Sequence, residues 1–123
     1  MIVGIGIDLI SVAKIAESVK SEAFWRKVFT HAEIESCESV ANSAERYTGK
    51  FAAKEAFMKA LGKGIRQEVW FSQIEVLNLE TGVAYFVVRG DTERTLSALG
   101  AEHVHVSISH TEGMAVAVVV LEE

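Results

Sequence analysis

The last hydrophobic stretch of the chain, Met114 to Leu121, has no polar side. Ala115, Ala117, Val119 and Leu121 alternate with Met114, Val116, Val118 and Val120. A strand with one solvated face interleaves polar residues, whereas a strand apolar on both faces expects cover on both. A chain of 123 residues suffices for one domain with a real core, residues 1–123, and is too short for two. Half of its residues are apolar and mean hydropathy is +0.24. Helices are expected to cover one side of this strand, and a neighbouring subunit is a candidate for the other.

The remaining elements fit an α+β chain, an antiparallel sheet with helices packed on it. In Ile2 to Leu9, Val3, Ile5, Ile7 and Leu9 take one face, while Gly4, Gly6 and Asp8 take the other. Glycines beside an acid leave room for something to approach the backbone. Ser11 can cap a helix running to about Lys27 with a break near Ser21. Thr30 and Glu33 have capping-box spacing for a helix to about Val40, and Asn42 with Glu45 repeats it for a long helix that Gly62 and Gly64 end. Phe71–Leu79 and Val83–Arg89 flank a turn at Glu80 to Gly82. Asp91 is placed to cap a short helix stopping at Gly100, and His103–Ser109 turns at Glu112-Gly113 into the last strand. Without proline, glycine and polar residues carry every turn.

Several functions are disfavoured. No apolar run approaches a membrane span. The N-terminus lacks the basic segment of a signal peptide and carries Asp8, so a cytoplasmic protein is expected. Cys37 stands alone, excluding an internal disulfide and reading as a structural thiol. The net charge of −5 and the absence of a basic–aromatic motif argue against nucleic acid. Charge is nevertheless uneven. Between Arg46 and Arg66 six cations face Glu55 alone, which is either a solvated helix face or a local anion site.

Familiar motifs fail: Gly4-Ile5-Gly6 has Leu9 where a dinucleotide fingerprint needs its third glycine, and Gly62-Lys63-Gly64 lacks P-loop spacing. His103 and His105 share a strand face without a further zinc ligand nearby in sequence. Asp8, ending an apolar strand, can cap the next helix or, with Glu55, hold a hard cation such as Mg²⁺. Glu55 and Lys59 are helical neighbours, so they are either a surface ion pair or a carboxylate for a metal beside an ammonium for a phosphate. His110 is either a polar residue at a hairpin or a group for phosphate or proton chemistry.

Taken together, Gly4-Ile5-Gly6-Ile7-Asp8, Phe29-Thr30-His31-Ala32-Glu33, Lys50-Phe51-Ala52-Ala53-Lys54-Glu55-Ala56-Phe57-Met58-Lys59-Ala60-Leu61-Gly62 and Ser107-Ile108-Ser109-His110 resemble the holo-[acyl-carrier-protein] synthase group of small 4′-phosphopantetheinyl transferases. The resemblance spans the chain in order and length. Two departures are local: Gly82-Val83-Ala84 stands where the family often has Gly-x-Pro, and Lys50 where it often has arginine, a fork reduced to a point charge.

The resemblance implies transfer of the phosphopantetheine arm of coenzyme A to a serine of apo acyl carrier protein, releasing adenosine 3′,5′-bisphosphate, in fatty acid biosynthesis. It implies Asp8 and Glu55 on Mg²⁺, Lys59 on a phosphate oxygen, Lys50 and His110 on coenzyme A phosphates, and backbone approach at Gly62 and Gly64. It also implies a homotrimer with active sites between subunits. The acidic carrier is expected to dock on Lys14, Lys20, Arg26 and Lys27, with Phe24 and Trp25 as apolar anchors. Two other readings stay open, another Mg²⁺-dependent enzyme of phosphoanhydrides and a non-catalytic module that docks acidic proteins.

Overall fold

A computed structural model describes residues 1–62 and 71–123. The fold is organised around one helix. It is α+β, with elements in the order β1 (Ile2–Ser11), α1 (Val12–Ser18), α2 (Glu22–Val28), α3 (His31–Glu38), α4 (Ser43–Leu61), β2 (Ile74–Asn78), β3 (Ala84–Val88), α5 (Gly90–Ala98), β4 (His103–Thr111) and β5 (Met114–Glu122). Instead of one sheet there are two: β1-β5-β4 with β5 central, and the ribbon β2-β3, all antiparallel.

α4 has almost no solvated side. Ala52, Ala53, Ala56 and Phe57 are fully buried, and Tyr47, Met58 and Leu61 nearly so. Its small residues let β1 lie directly on its backbone. A Cβ on Gly4 would fall 2.1 Å from the Ala60 carbonyl oxygen, and one on Gly6 1.8 Å from that of Ala56. No side chain fits in that gap, so the glycine face of β1 turns inward onto α4 and carries Asp8 with it. The apolar face of β1 is thereby turned outward, with Ile5, Ile7 and Leu9 each 60–64% exposed.

Two-sided burial of β5 is met on one side within the chain. Ala115, Ala117, Val119 and Leu121 are buried, while Val116, Val118 and Val120 on the other side stay partly open beside Ile5, Ile7 and Leu9. Among the described residues nothing covers this apolar face.

Caps explain several boundaries. The helical region after Ser11 breaks before Ser21, which caps α2 through Phe24 N–H. Thr30 and Glu33 form the expected capping box, and Gly62 ends α4 in the left-handed conformation at φ +76°. Asn42 makes no side-chain cap bond. Asp91 does not cap α5 either: the Gln73 side-chain oxygen accepts from Thr92 N–H at 3.0 Å and from its hydroxyl at 2.8 Å, while Asp91 pairs with Arg94. For that purpose Phe71–Gln73 forms a short 3₁₀ turn, shortening the strand expected from Phe71.

One polar knot lies inside. The fully buried Lys54 ammonium donates to Glu33 and to the Val28 and Phe71 carbonyls. Glu33 also accepts from the N–H groups of Thr30 at 2.9 Å and Val76 at 2.8 Å. Glu75 accepts from the Thr30 hydroxyl at 2.6 Å and the Arg89 guanidinium at 3.1 Å. Burial pulls the Lys54 ammonium below its ordinary pKa, opposed by Glu33, and no buried side-chain polar atom among the described residues lacks a partner.

Candidate functional site

The contact of β1 with α4 brings Asp8 beside the last turns of the helix. Lys59 does not pair back along α4 with Glu55. Its ammonium crosses to β1, 3.2 Å from Asp8 Oδ1 and 3.0 Å from the Ile7 carbonyl oxygen. Glu55 is half-buried, and its carboxyl pKa is pushed up by burial first and the Asp8 charge second, against Lys59 and Lys14. Among the described residues, Lys59 pairs with Asp8, its side chain 55% exposed, while Lys59 and Lys14 act on Glu55 only as nearby charges.

Such a surplus of negative charge favours a further cation. Among the described residues no group of three or more His, Cys, Asp or Glu is placed to hold a metal. A pair of carboxylates whose remaining ligands are water and substrate oxygens is the chemistry by which Mg²⁺ is commonly held, so the donor set fits that ion.

A second feature is a cavity of about 610 Å³ among the first half of α4, β4 and the β2–β3 turn, lined by Arg46, Gly49, Lys50, Asn78, Ser107 and His110 among others. Lys50 lies in its floor, donating to the Val76 carbonyl at 2.6 Å and to Asn78 Oδ1 at 3.2 Å. Burial lowers its pKa. Asn78 is held by its own bond to the Gly82 carbonyl at 3.1 Å. His110 Nε2 stands 3.1 Å from the Glu45 carbonyl oxygen, which can only accept, so Nε2 carries the proton. Arg46 is exposed at the rim and makes no ion pair among the described residues. Its charge bears on Lys50 one turn away, lowering the lysine further. Like charges at this spacing repel, and an anion between them relieves the repulsion.

The expected site residues therefore fall into two groups. Asp8, Glu55 and Lys59 form one, and Lys50 and His110 belong to the other. The step of five residues from Lys50 to Glu55 turns the helix by about 140°, so within one chain the groups face different ways. Gly62 closes α4 beside the first group. Gly64, with Lys63 and Arg66 of the basic run, lies outside the described residues.

The expected docking charges are partly committed. Lys20 pairs with Glu17 at 3.0 Å and Arg26 with Glu22 at 2.7 Å, while Lys14 and Lys27 are exposed. Phe24 and Trp25 are half-buried against the core rather than free-standing, with the Phe24 ring centroid 5.8 Å from that of Phe51 and 6.4 Å from that of Phe29. The basic run also shrinks as a surface, because Lys50 and Lys54 are buried.

Sequence reasoning counted Arg46 as charge but missed it as a site residue, although its spacing to Lys50 was the available signal. Gly49 and Asn78 gave none. Cys37 is inert, its thiol pKa pushed up to about 12 by burial. His105 sits 3.0 Å from Glu122 and near His103, but among the described residues these do not form a group of three placed to hold a metal.

The sequence pattern of the 4′-phosphopantetheinyl transferase superfamily matches residues 4–119. A holo-[acyl-carrier-protein] synthase of Koribacter versatilis is 42% identical, with both chains covered in full. The crystal structure of the synthase from Neisseria meningitidis superposes with a TM-score of 0.91 at 33% identity, again over all of both chains. That of Bacillus anthracis, in complex with CoA (3′,5′-ADP), superposes with a TM-score of 0.83 at 37% identity, covering 98% of this chain and 96% of its own.

Proposed function

The chain belongs to the 4′-phosphopantetheinyl transferase superfamily as an enzyme of the holo-[acyl-carrier-protein] synthase kind, and on that premise we propose its reaction. It transfers the 4′-phosphopantetheine arm of coenzyme A to a serine of apo acyl carrier protein and releases adenosine 3′,5′-bisphosphate. A bond forms from the serine oxygen to phosphorus as the anhydride oxygen leaves with the nucleotide, and the serine proton is lost. The nucleophile comes with the partner, which agrees with the inert Cys37.

The observation that carries this reading is the pair Asp8 and Glu55 beside the exposed Lys59 ammonium. Asp8 and Glu55 would hold Mg²⁺, which supplies charge neutralisation at the pyrophosphate. Lys59, already extended over Asp8, is within the same cluster to meet a phosphate oxygen. In the cavity, His110, Lys50 and Arg46 offer positive or hydrogen-bonding groups to the remaining phosphates. The volume of about 610 Å³ is in the range of small-ligand sites.

We read the molecule as a homotrimer with active sites between subunits. Two features support this: the groups around Glu55 and His110 point apart within one chain, and the outer face of β1 and β5 is apolar and open. The acidic carrier would approach Lys14 and Lys27, the docking charges without an ion pair among the described residues. We place this activity in the cytoplasm and in fatty acid biosynthesis; no helix among the described residues is long and apolar enough to cross a membrane.

The test is intact-protein mass spectrometry of apo carrier protein incubated with enzyme, coenzyme A and Mg²⁺. The carrier should gain one phosphopantetheine arm, and chelation should prevent it. Glu55→Gln should lower the rate by more than about 100-fold without loss of thermal stability. Full activity in that variant would remove the metal assignment.

A further inference from the structure

Gly49 is a glycine in the middle of a helix, where glycine is unfavourable, with no turn to make. What occupies the place of its missing side chain is His110. A Cβ on Gly49 would lie 2.9 Å from His110 Nε2, 3.1 Å from Cε1 and 3.1 Å from Ile108 Cγ2. The ring is thus seated directly on the helix backbone, with Nε2–H donated to the Glu45 carbonyl one turn earlier. That bond fixes the tautomer and leaves Nδ1 as the ring's other polar atom in the cavity wall. We propose that Gly49 is the positioning residue for His110: its bare Cα is the seat that holds the imidazole in register with Lys50 and Arg46 for a phosphate group of coenzyme A.

The argument rests on the functional reading above only for the identity of the ligand. The seat can be read without ligand, from the imidazole nitrogen shifts of His110 by NMR. In Gly49→Ala the Cβ would stand 2.9 Å from Nε2, so the ring must shift off its seat and the Nε2–H signature of the bond to Glu45 should weaken or be lost. Calorimetric binding of coenzyme A should weaken about tenfold, the scale of one charge-assisted hydrogen bond, and to the same extent as in His110→Ala.

The double variant Gly49→Ala/His110→Ala decides the matter and guards against misfolding. With the ring gone, the alanine meets only Ile108 Cγ2 at 3.1 Å, a methyl that must give by a few tenths of an ångström, and alanine is the better helix former, so the double variant's melting temperature should be no lower than that of His110→Ala. Its affinity should be no lower than that of His110→Ala. If Gly49→Ala keeps both the imidazole signature and the affinity while His110→Ala loses affinity, the seat is overturned and the cavity reading stands. If His110→Ala binds coenzyme A normally, the cavity reading falls and takes the positioning role with it. Additive losses in the double variant would also overturn the proposal, because they would make Gly49 act independently of His110.

Discussion

Lys54 and Glu55 are consecutive residues of one helix, yet they belong to opposite kinds of electrostatics. Lys54 points into the protein, where its ammonium meets Glu33 and two carbonyls and nothing is left over. Glu55 points to the contact with β1, where Lys59 pairs with Asp8 instead and where burial and the Asp8 charge push the Glu55 carboxyl pKa up. The first arrangement is closed: every donor and acceptor is used, and it ties α3, α4, β2 and the end of α2 together. The second is left short of positive charge. The difference teaches how to separate structural from functional charge. Burial alone does not mark a site, since Lys54 is the more buried of the two, whereas unfinished neutralisation does.

Three substitutions probe that contrast. The largest effect is expected from Lys54→Met, which strands the Glu33 carboxylate in the core. It should cost about 3–5 kcal/mol in chemical denaturation, enough to threaten folding. A loss below about 1 kcal/mol would show the knot to be as open as the Asp8 cluster.

Next is Glu75→Gln. Burial pushes the Glu75 carboxyl up, but bonds from Thr30 and Arg89, with the charges of Arg89 and Lys54, outweigh it, so its pKa lies below the ordinary 4.5. A depressed acid stabilises the fold above its unfolded pKa and loses that contribution as pH falls through the folded value. The variant should therefore be less stable than the parent by about 1–2 kcal/mol at neutral pH. Below pH 4.5 the two should converge as the parent's Glu75 takes up its proton. Denaturation curves across that range measure it, and a constant difference would contradict the sign.

The smallest effect is expected from Lys59→Met. Its partner geometry resembles that of an exposed ion pair, so stability should change by less than about 1 kcal/mol while transfer to the carrier falls. Comparable losses at Lys54 and Lys59 would erase the distinction drawn here.

Much of this was legible in the chain. The long helix, its glycine stop, the capping box at Thr30 and the break near Ser21 follow from local chemistry and appear where expected. The glycines beside Asp8 left room for a close approach, and α4 with Glu55 fills it. What local pattern could not give was direction. The alternation in β1 gives two faces but not which turns inward; α4 accepts only the glycine face, so the isoleucines face out. Lys54 reads as surface charge because its partner, Glu33, is twenty-one residues away and both are brought inside by tertiary packing. Asn42 and Asp91 have capping chemistry that the fold leaves unused; at α5 Gln73 takes the Thr92 N–H and Asp91 pairs with Arg94.

The contact of Gly4 and Gly6 with Ala60 and Ala56 also makes the mechanics of the Asp8–Glu55 cluster one-sided. Side chains can yield by changing rotamer, but two backbones in contact have nothing softer to compress. Heat, a bulky neighbouring substitution or a large cation can lift β1 away from α4. None of them can press it closer. The strand and helix therefore set a hard lower limit on the gap between the two carboxylates' backbones, while the upper limit is elastic.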